Sequence, residues 1–158
     1  MNTSTVIENL AGLINLWGGE LIVTDHIPIR FQSPGPSSVG LNWRGKRIYC
    51  TFESKYVRVP EILAGIIHEM GHVFASKKPV RQQYEFSFFG WEYLVAKKVN
   101  FDRDTWIEEN SVYAVSEYDN LLFGDLTIYK KNKLLEERIT FGKSIGIINQ
   151  EEQPVTVR

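Results

Sequence analysis

The sequence predicts an α+β domain, a small antiparallel sheet packed against about five helices. Three observations support this. Short runs rich in β-branched and aromatic residues fall between positions 21 and 52, separated by turn-forming residues. On both sides of them, apolar residues recur at three- and four-residue spacing, as in helices with one buried face. The 158 residues, 43% hydrophobic and 23% charged, suffice for one domain with a sizeable core. No internal repeat or low-complexity block divides the chain, so residues 1–158 are read as a single domain.

Thr5-x-x-Glu8 has the form of a capping box. Val6, Ile7, Leu10, Leu13, Ile14 and Trp17 follow at helical spacing, and Gly18-Gly19 stops the helix. Leu21-Ile22-Val23 is a short strand, broken by Asp25-His26-Ile27-Pro28, which makes His26 a turn histidine. Ser33 to Ser38 is a turn-rich loop, too short to link two domains. Val39–Trp43 and Arg47–Phe52 flank Arg44-Gly45-Lys46 as a hairpin. Pro60 suits a first helical turn and opens a helix over 60–76, which Lys77-Lys78-Pro79 closes. A second helix is expected from about 84 to 99. A third, capped by Asp102 or Asp104, reaches about Val115, and Tyr118 to Asn120 makes a turn. After Gly124-Asp125 a last helix runs to about Phe141, with Ile128, Leu135 and Ile139 on one face and Lys130, Lys131 and Lys133 as a solvated face. Periodicity is lost from Ser144, so residues 145–158 are expected to form a loose tail.

The chemistry concentrates in Ile66-Ile67-His68-Glu69-Met70-Gly71-His72-Val73-Phe74. Residues four apart on a helix share a face. His68 and His72 therefore aim two imidazoles at one point, a donor pair that suits zinc. Glu69, beside the first histidine, is placed to take a proton from a zinc-bound water. Leu63, Ile66, Ile67, Met70 and Phe74 form an apolar stripe on the opposite side, so the stripe can face the core while the histidines face a cleft. The bare His-Glu-x-x-His pattern arises by chance in roughly one chain of this length in a few hundred. Glu92 is a second anomaly. It shares a helical face with Phe88, Phe89, Ala96 and Val99, while Lys97 and Lys98 lie on the far side. A carboxylate in an apolar stripe is costly unless something cationic pairs with it, which a zinc ion would do and a buried Arg or Lys would do equally well.

Residues 65–74 resemble the extended signature of the His-Glu-x-x-His zinc metallopeptidases. The resemblance implies a minimal zincin-like domain with Zn2+ as cofactor, His68 and His72 as metal ligands and Glu69 as general base. A catalytic zinc usually takes a third protein ligand. Glu92, 20 residues after His72, looks like the glutamate of the gluzincin arrangement, with Glu85 as its rival. The metzincin extension is absent, because Ala75 and Lys78 stand where glycine and histidine are needed. The aspartate that gluzincins carry four residues after the ligand glutamate is replaced by Ala96. In zincins an edge strand beside the site holds the peptide by strand addition, a role the hairpin could take. Tyr84, Tyr93, Tyr118 and His26 are candidate oxyanion donors, unranked by sequence. The repressor-cleaving ImmA/IrrE peptidases are similar in their short length and His-Glu-x-Gly-His motif. Segments such as Gly90 to Lys98, Phe123 to Leu126 and the Gly146-to-Pro154 ending resemble small bacteriophage proteins.

The function expected is thus a zinc-dependent endopeptidase acting on a protein or peptide. The alternative is a catalytically silent, zinc-stabilised binding or inhibitory module. A net charge of −1 gives no electrostatic case for nucleic acid. No stretch reaches the length of a membrane span. A single cysteine, Cys50, and an N-terminus without a signal-peptide pattern point to the cytoplasm, the host's if the chain is phage-encoded.

Overall fold

The computed structural model describes residues 2–32, 38–42, 44–53, 57–75, 89–102, 128–144 and 146–152. The elements run α1 (Thr3–Leu16), β1 (Glu20–Val23), a 3-10 turn (Ile29–Phe31), β2 (Val39–Asn42), β3 (Arg47–Cys50), α2 (Val59–Ala75), α3 (Phe89–Lys98) and α4 (Ile128–Ser144). The class is α+β, with four α-helices among the described residues. Apart from Asp102, the helix expected from Asp102 or Asp104 to Val115 lies outside them, as do residues 84–88 of the helix that carries Glu92.

The first helix starts earlier than the Thr5 capping box implies. Asn2 is the N-cap, its Oδ1 accepting from the Thr5 backbone N–H at 3.1 Å. Three helices end alike. In α1, Gly18 takes a positive φ of 80°, its N–H bonds Asn15 O, and Gly19 N–H bonds Ile14 O. In α3, Asn100 (φ 61°) bonds Lys97 O, and Phe101 N–H bonds Ala96 O. In α4, Gly146 (φ 79°) bonds Lys143 O, and Ile147 N–H bonds Gly142 O. These are Schellman motifs, in which a left-handed residue turns the chain back to satisfy the last carbonyls. Each needs a residue that tolerates positive φ, which glycine and asparagine do.

The last of these motifs corrects the expected loose tail. It drives Ile147 and Ile148 into the core, where they are fully or almost fully buried. Gln150 then donates to Lys143 O at 3.1 Å, and Lys97 pairs with Glu152 at 3.1 Å. Residues 146–152 are therefore anchored. A C″ residue that packs back on its helix obeys no helical period, so periodicity alone does not register it.

The sheet is three-stranded and mixed, in the order β1-β3-β2, rather than antiparallel. The hairpin β2–β3 is antiparallel as expected, with Gly40 opposite Tyr49. β1 joins the free side of β3 in parallel, Ile22 opposite Tyr49. Ile27 and Phe31, which follow β1, lie against one face of the sheet, which explains Gly40. A Cβ there would stand 2.5 Å from Ile27 Cγ2 and 2.7 Å from Phe31 O. Phe31 stacks on Tyr49 on that face at 5.3 Å between centroids, with the Arg30 guanidinium 4.7 Å from the Phe31 centroid.

Ile48 and Cys50 point to the opposite face, where they are fully buried and α2 packs. Leu63, Ile66, Ile67 and Met70 of α2 have no exposed surface, as the apolar stripe requires. α1 adds Val6, Leu10 and Ile14 to this core, α3 adds Trp91, Leu94 and Val95, and α4 adds Leu135 and Ile139. Trp17 and Trp91 lie 6.4 Å apart, and Phe141 meets Trp17 edge-on.

Candidate metal centre

The candidate site lies where α2 and α3 pack together. α2 is one unbroken helix through Ala75, so the backbones of His68 and His72 stand one turn apart on the same face. Gly65 begins that face. A Cβ on Gly65 would come within 3.0 Å of Val39 Cγ2, so β2 runs close to α2 one turn before His68. The His68 side chain is 23% exposed. Glu69 is half-buried beside it. The side chains of His72 and Phe74 lie outside the described residues, as does Glu85 with Tyr84 and Tyr118.

Glu92 comes from the first turns of α3 and is almost wholly buried, its side chain 2% exposed. Ala96 and Val99, on the same face, are also buried, while Lys97 and Lys98 are exposed on the far side. Glu92 Oε1 stands 2.7 Å from His68 Nδ1. Residues 24 apart in sequence are thus brought into direct contact across two packed helices. An ionised carboxylate only accepts hydrogen bonds, so the contact in that state calls for the Nδ1–H tautomer of His68. At this length the bond belongs to the short, charge-assisted class.

The other named candidates are not gathered here in the same way. His26 is in an exposed turn that Thr24 holds, the Thr24 Oγ1 accepting from the His26 backbone N–H at 3.3 Å and donating to His26 O at 3.2 Å. Tyr93, next to Glu92 on α3, is half-buried. Among the described residues no cluster of three or more His, Cys, Asp or Glu side chains is gathered for a metal, a set that excludes the His72 side chain.

Arg138 is a buried charged group that sequence reasoning passes over. Arg138, on α4, is 3% exposed, and burial pushes its guanidinium down to about 10, against the opposing pull of Glu137. A lone arginine in a polar segment gives no sequence signal for this. Cys50 is packed in its strand, as its apolar neighbours imply. Burial pushes its thiol up to about 11, which makes it a packing group rather than a nucleophile.

Imidazole, a borderline donor, and carboxylate, a harder one, are both types that zinc accepts, so a zinc ion here would draw on His68 and His72, whose backbones stand one helical turn apart, with a carboxylate. No protein-family model, curated protein or solved structure matches the chain. No helix among the described residues is long and apolar enough to cross a membrane.

Proposed function

We propose that the chain is a zinc-dependent endopeptidase acting on a protein or peptide. The observation that carries this reading is the 2.7 Å contact between His68 Nδ1 and the buried Glu92 carboxylate. A metal-ligating histidine needs its ring held and its tautomer fixed, and an acidic group on the non-ligating nitrogen does both. His68 and His72 supply the imidazole donors, and the carboxylates weighed for the site are Glu92 and Glu85. Zinc, when bound, lowers the pKa of water towards neutrality and polarises a scissile carbonyl. Glu69, half-buried next to His68, accepts the proton of the attacking water and delivers it to the leaving amine. An extended peptide would align along β2, the edge strand nearest α2. Gln32 already bridges to Gly40 on that strand, so pairing would fall on Leu41 and Asn42.

The test is Glu69→Gln, read by mass spectrometry of a mixed peptide library alongside zinc content. Removal of a general base lowers the rate by about 10²–10⁴-fold while the ion and the fold remain. A variant that keeps its zinc and cleaves like wild type overturns the role of Glu69. A zinc-loaded wild type that cleaves nothing, with unchanged biological activity in Glu69→Gln, replaces the peptidase by a zinc-stabilised binding or inhibitory module.

A further inference from the structure

We infer that the peptide held along β2 carries acidic residues on one side of the bond cleaved, where Arg44 and Lys46 meet them. The inference rests on the peptidase reading for the place of the peptide and adds the chemistry of that peptide. β2 ends at a basic hairpin tip. Arg44, Lys46 and Arg47 follow one another with only Gly45 between them and no acid. All of them are exposed. Among the described residues, the ion pair at the tip joins Arg47 to Glu20 at 3.8 Å. Arg44 and Lys46 face solvent, two positive charges at one end of the sheet.

The tip is an ordered turn. Asn42 Oδ1 accepts from Gly45 N–H at 3.0 Å, Lys46 takes a φ of 51°, and the Lys46 carbonyl accepts from Glu20 N–H at 2.9 Å. The backbone that carries the two cations therefore needs no ordering when a ligand arrives.

Register brings the open part of the edge to this tip. Gln32 bridges to Gly40, so Leu41 and Asn42 offer their backbone groups to an added strand. Asn42 and Arg44 are two residues apart, at most about 7 Å between Cα atoms. The other end of β2 lies against α2, where Val39 meets Gly65. The bond cleaved therefore lies towards Val39, and the residues that run past Asn42 reach the tip. At about 3.3 Å per residue, the span from Val39 to Arg44 puts the acids within about five positions of that bond. A peptide is favoured over a nucleic acid because strand addition uses a peptide backbone. The chain as a whole also sets 18 Lys and Arg against 19 Asp and Glu, which suits no long polyanion.

Binding is measured by fluorescence anisotropy on Glu69→Gln, so that the ligand is not cut. The probes are two pools of short fluorescein-labelled peptides with a randomised centre, flanked by Glu in one pool and by Gln in the other. An exposed ion pair changes affinity by about 1.4–5-fold. With two cations engaged, the Glu pool should bind about 2–25-fold more tightly at low salt, and the difference should vanish at about 0.5 M salt. Adding Arg44→Gln and Lys46→Asn should abolish the difference and leave the Gln pool unchanged, since asparagine tolerates the positive φ at position 46. Equal binding of the two pools, or a preference that survives both substitutions, overturns the inference. A labelled oligothymidylate bound more tightly than the Glu pool, through the same two residues, assigns the tip to nucleic acid and also overturns it. Cleavage of both pools by the wild type is scored separately. A Glu pool bound through the tip but left uncut counts against the peptidase reading and leaves the acidic partner in place. Cleavage with no preference for the Glu pool does the reverse.

Discussion

Replacing Gly142 by alanine asks whether α3 and α4 meet closely enough to reject one methyl group. Gly142 is buried in α4. A Cβ there would stand 2.6 Å from Ile148 Cδ1, 2.9 Å from Trp91 Cζ3 and 3.0 Å from Ile148 Cγ1. Carbon atoms attract best at about 3.5–4.0 Å, so all three contacts are repulsive. Ile148 could swing its terminal methyl, but it is 3% exposed and its N–H is bonded to Gly142 O at 3.1 Å. Trp91 is a rigid ring with no exposed surface. Overpacking of this kind costs about 1–3 kcal/mol. Alanine also gains about 0.8–1 kcal/mol over glycine in a helix, which hides part of that cost. Gly12→Ala removes the ambiguity. Gly12 is exposed within α1, and an alanine methyl there would meet nothing within 4 Å, so it collects the helical gain alone. To first order the helical terms cancel between the two variants. Gly12→Ala should therefore be the more stable by about 1–3 kcal/mol. Urea unfolding followed by tryptophan fluorescence measures both, compared at a common slope. If the two variants agree within about 0.5 kcal/mol, the α3–α4 contact is looser than this reasoning requires.

Three further outcomes follow from local geometry. Asn2→Ala should lose about 1 kcal/mol by thermal or urea unfolding, because Asn2 Oδ1 caps α1, whereas Thr5→Ala should change stability by less than about 0.5 kcal/mol. Glu152→Ala should also stay within about 0.5 kcal/mol, since its partner Lys97 is 60% exposed and surface pairs contribute little. Cys50 holds its proton to about pH 11 in the folded chain, whereas the unfolded chain releases it near pH 9. Its contribution is fully present below about pH 9 and is lost by about pH 11, roughly 2–3 kcal/mol in all. The pH slope of urea unfolding in that window should flatten in Cys50→Ala, and the folded wild type should resist thiol reagents at neutral pH.

What the sequence discloses depends on whether the signal is local. The face of α2 is local: Leu63, Ile66, Ile67 and Met70 repeat at helical spacing, and all four are fully buried. Glu92 is disclosed by the same means, as an acid among apolar neighbours, and it is almost fully buried. Its partner is not disclosed. The resemblance to the gluzincin arrangement implies a place for Glu92 beside the two histidines, but only the packed rotamers select Nδ1 of His68. Strand direction is hidden for a similar reason. Leu21-Ile22-Val23 reads the same whether β1 runs with β3 or against it, and the path through Ile29–Phe31 decides. The N-cap is ambiguous in sequence because Asn2, Thr3, Ser4 and Thr5 are all good caps in a row. Ile147 and Ile148 are hidden by the end of periodicity, although Gly146 marks the left-handed stop that buries them.

The contact between His68 and Glu92 depends on the packing of the two helices that carry them. A 2.7 Å hydrogen bond tolerates little displacement, and it joins side chains rooted in different helices. α2 is held by its apolar face against α1 and the sheet. α3 is held at three points. Its end is turned by Asn100, and the buried Phe101 seals the turn. The carbonyl of Val99 accepts from Asn9 Nδ2 of α1 at 3.2 Å. Trp91, the residue before Glu92, is wedged against Gly142 and Ile148. Any shift of Trp91 moves the backbone of Glu92 with it. A methyl at Gly142 therefore acts on the site as well as on stability, and its zinc affinity should fall more than that of Gly12→Ala. Equal zinc affinity in two variants of unequal stability would mean that the His68–Glu92 pair adjusts independently of the helix packing beneath it.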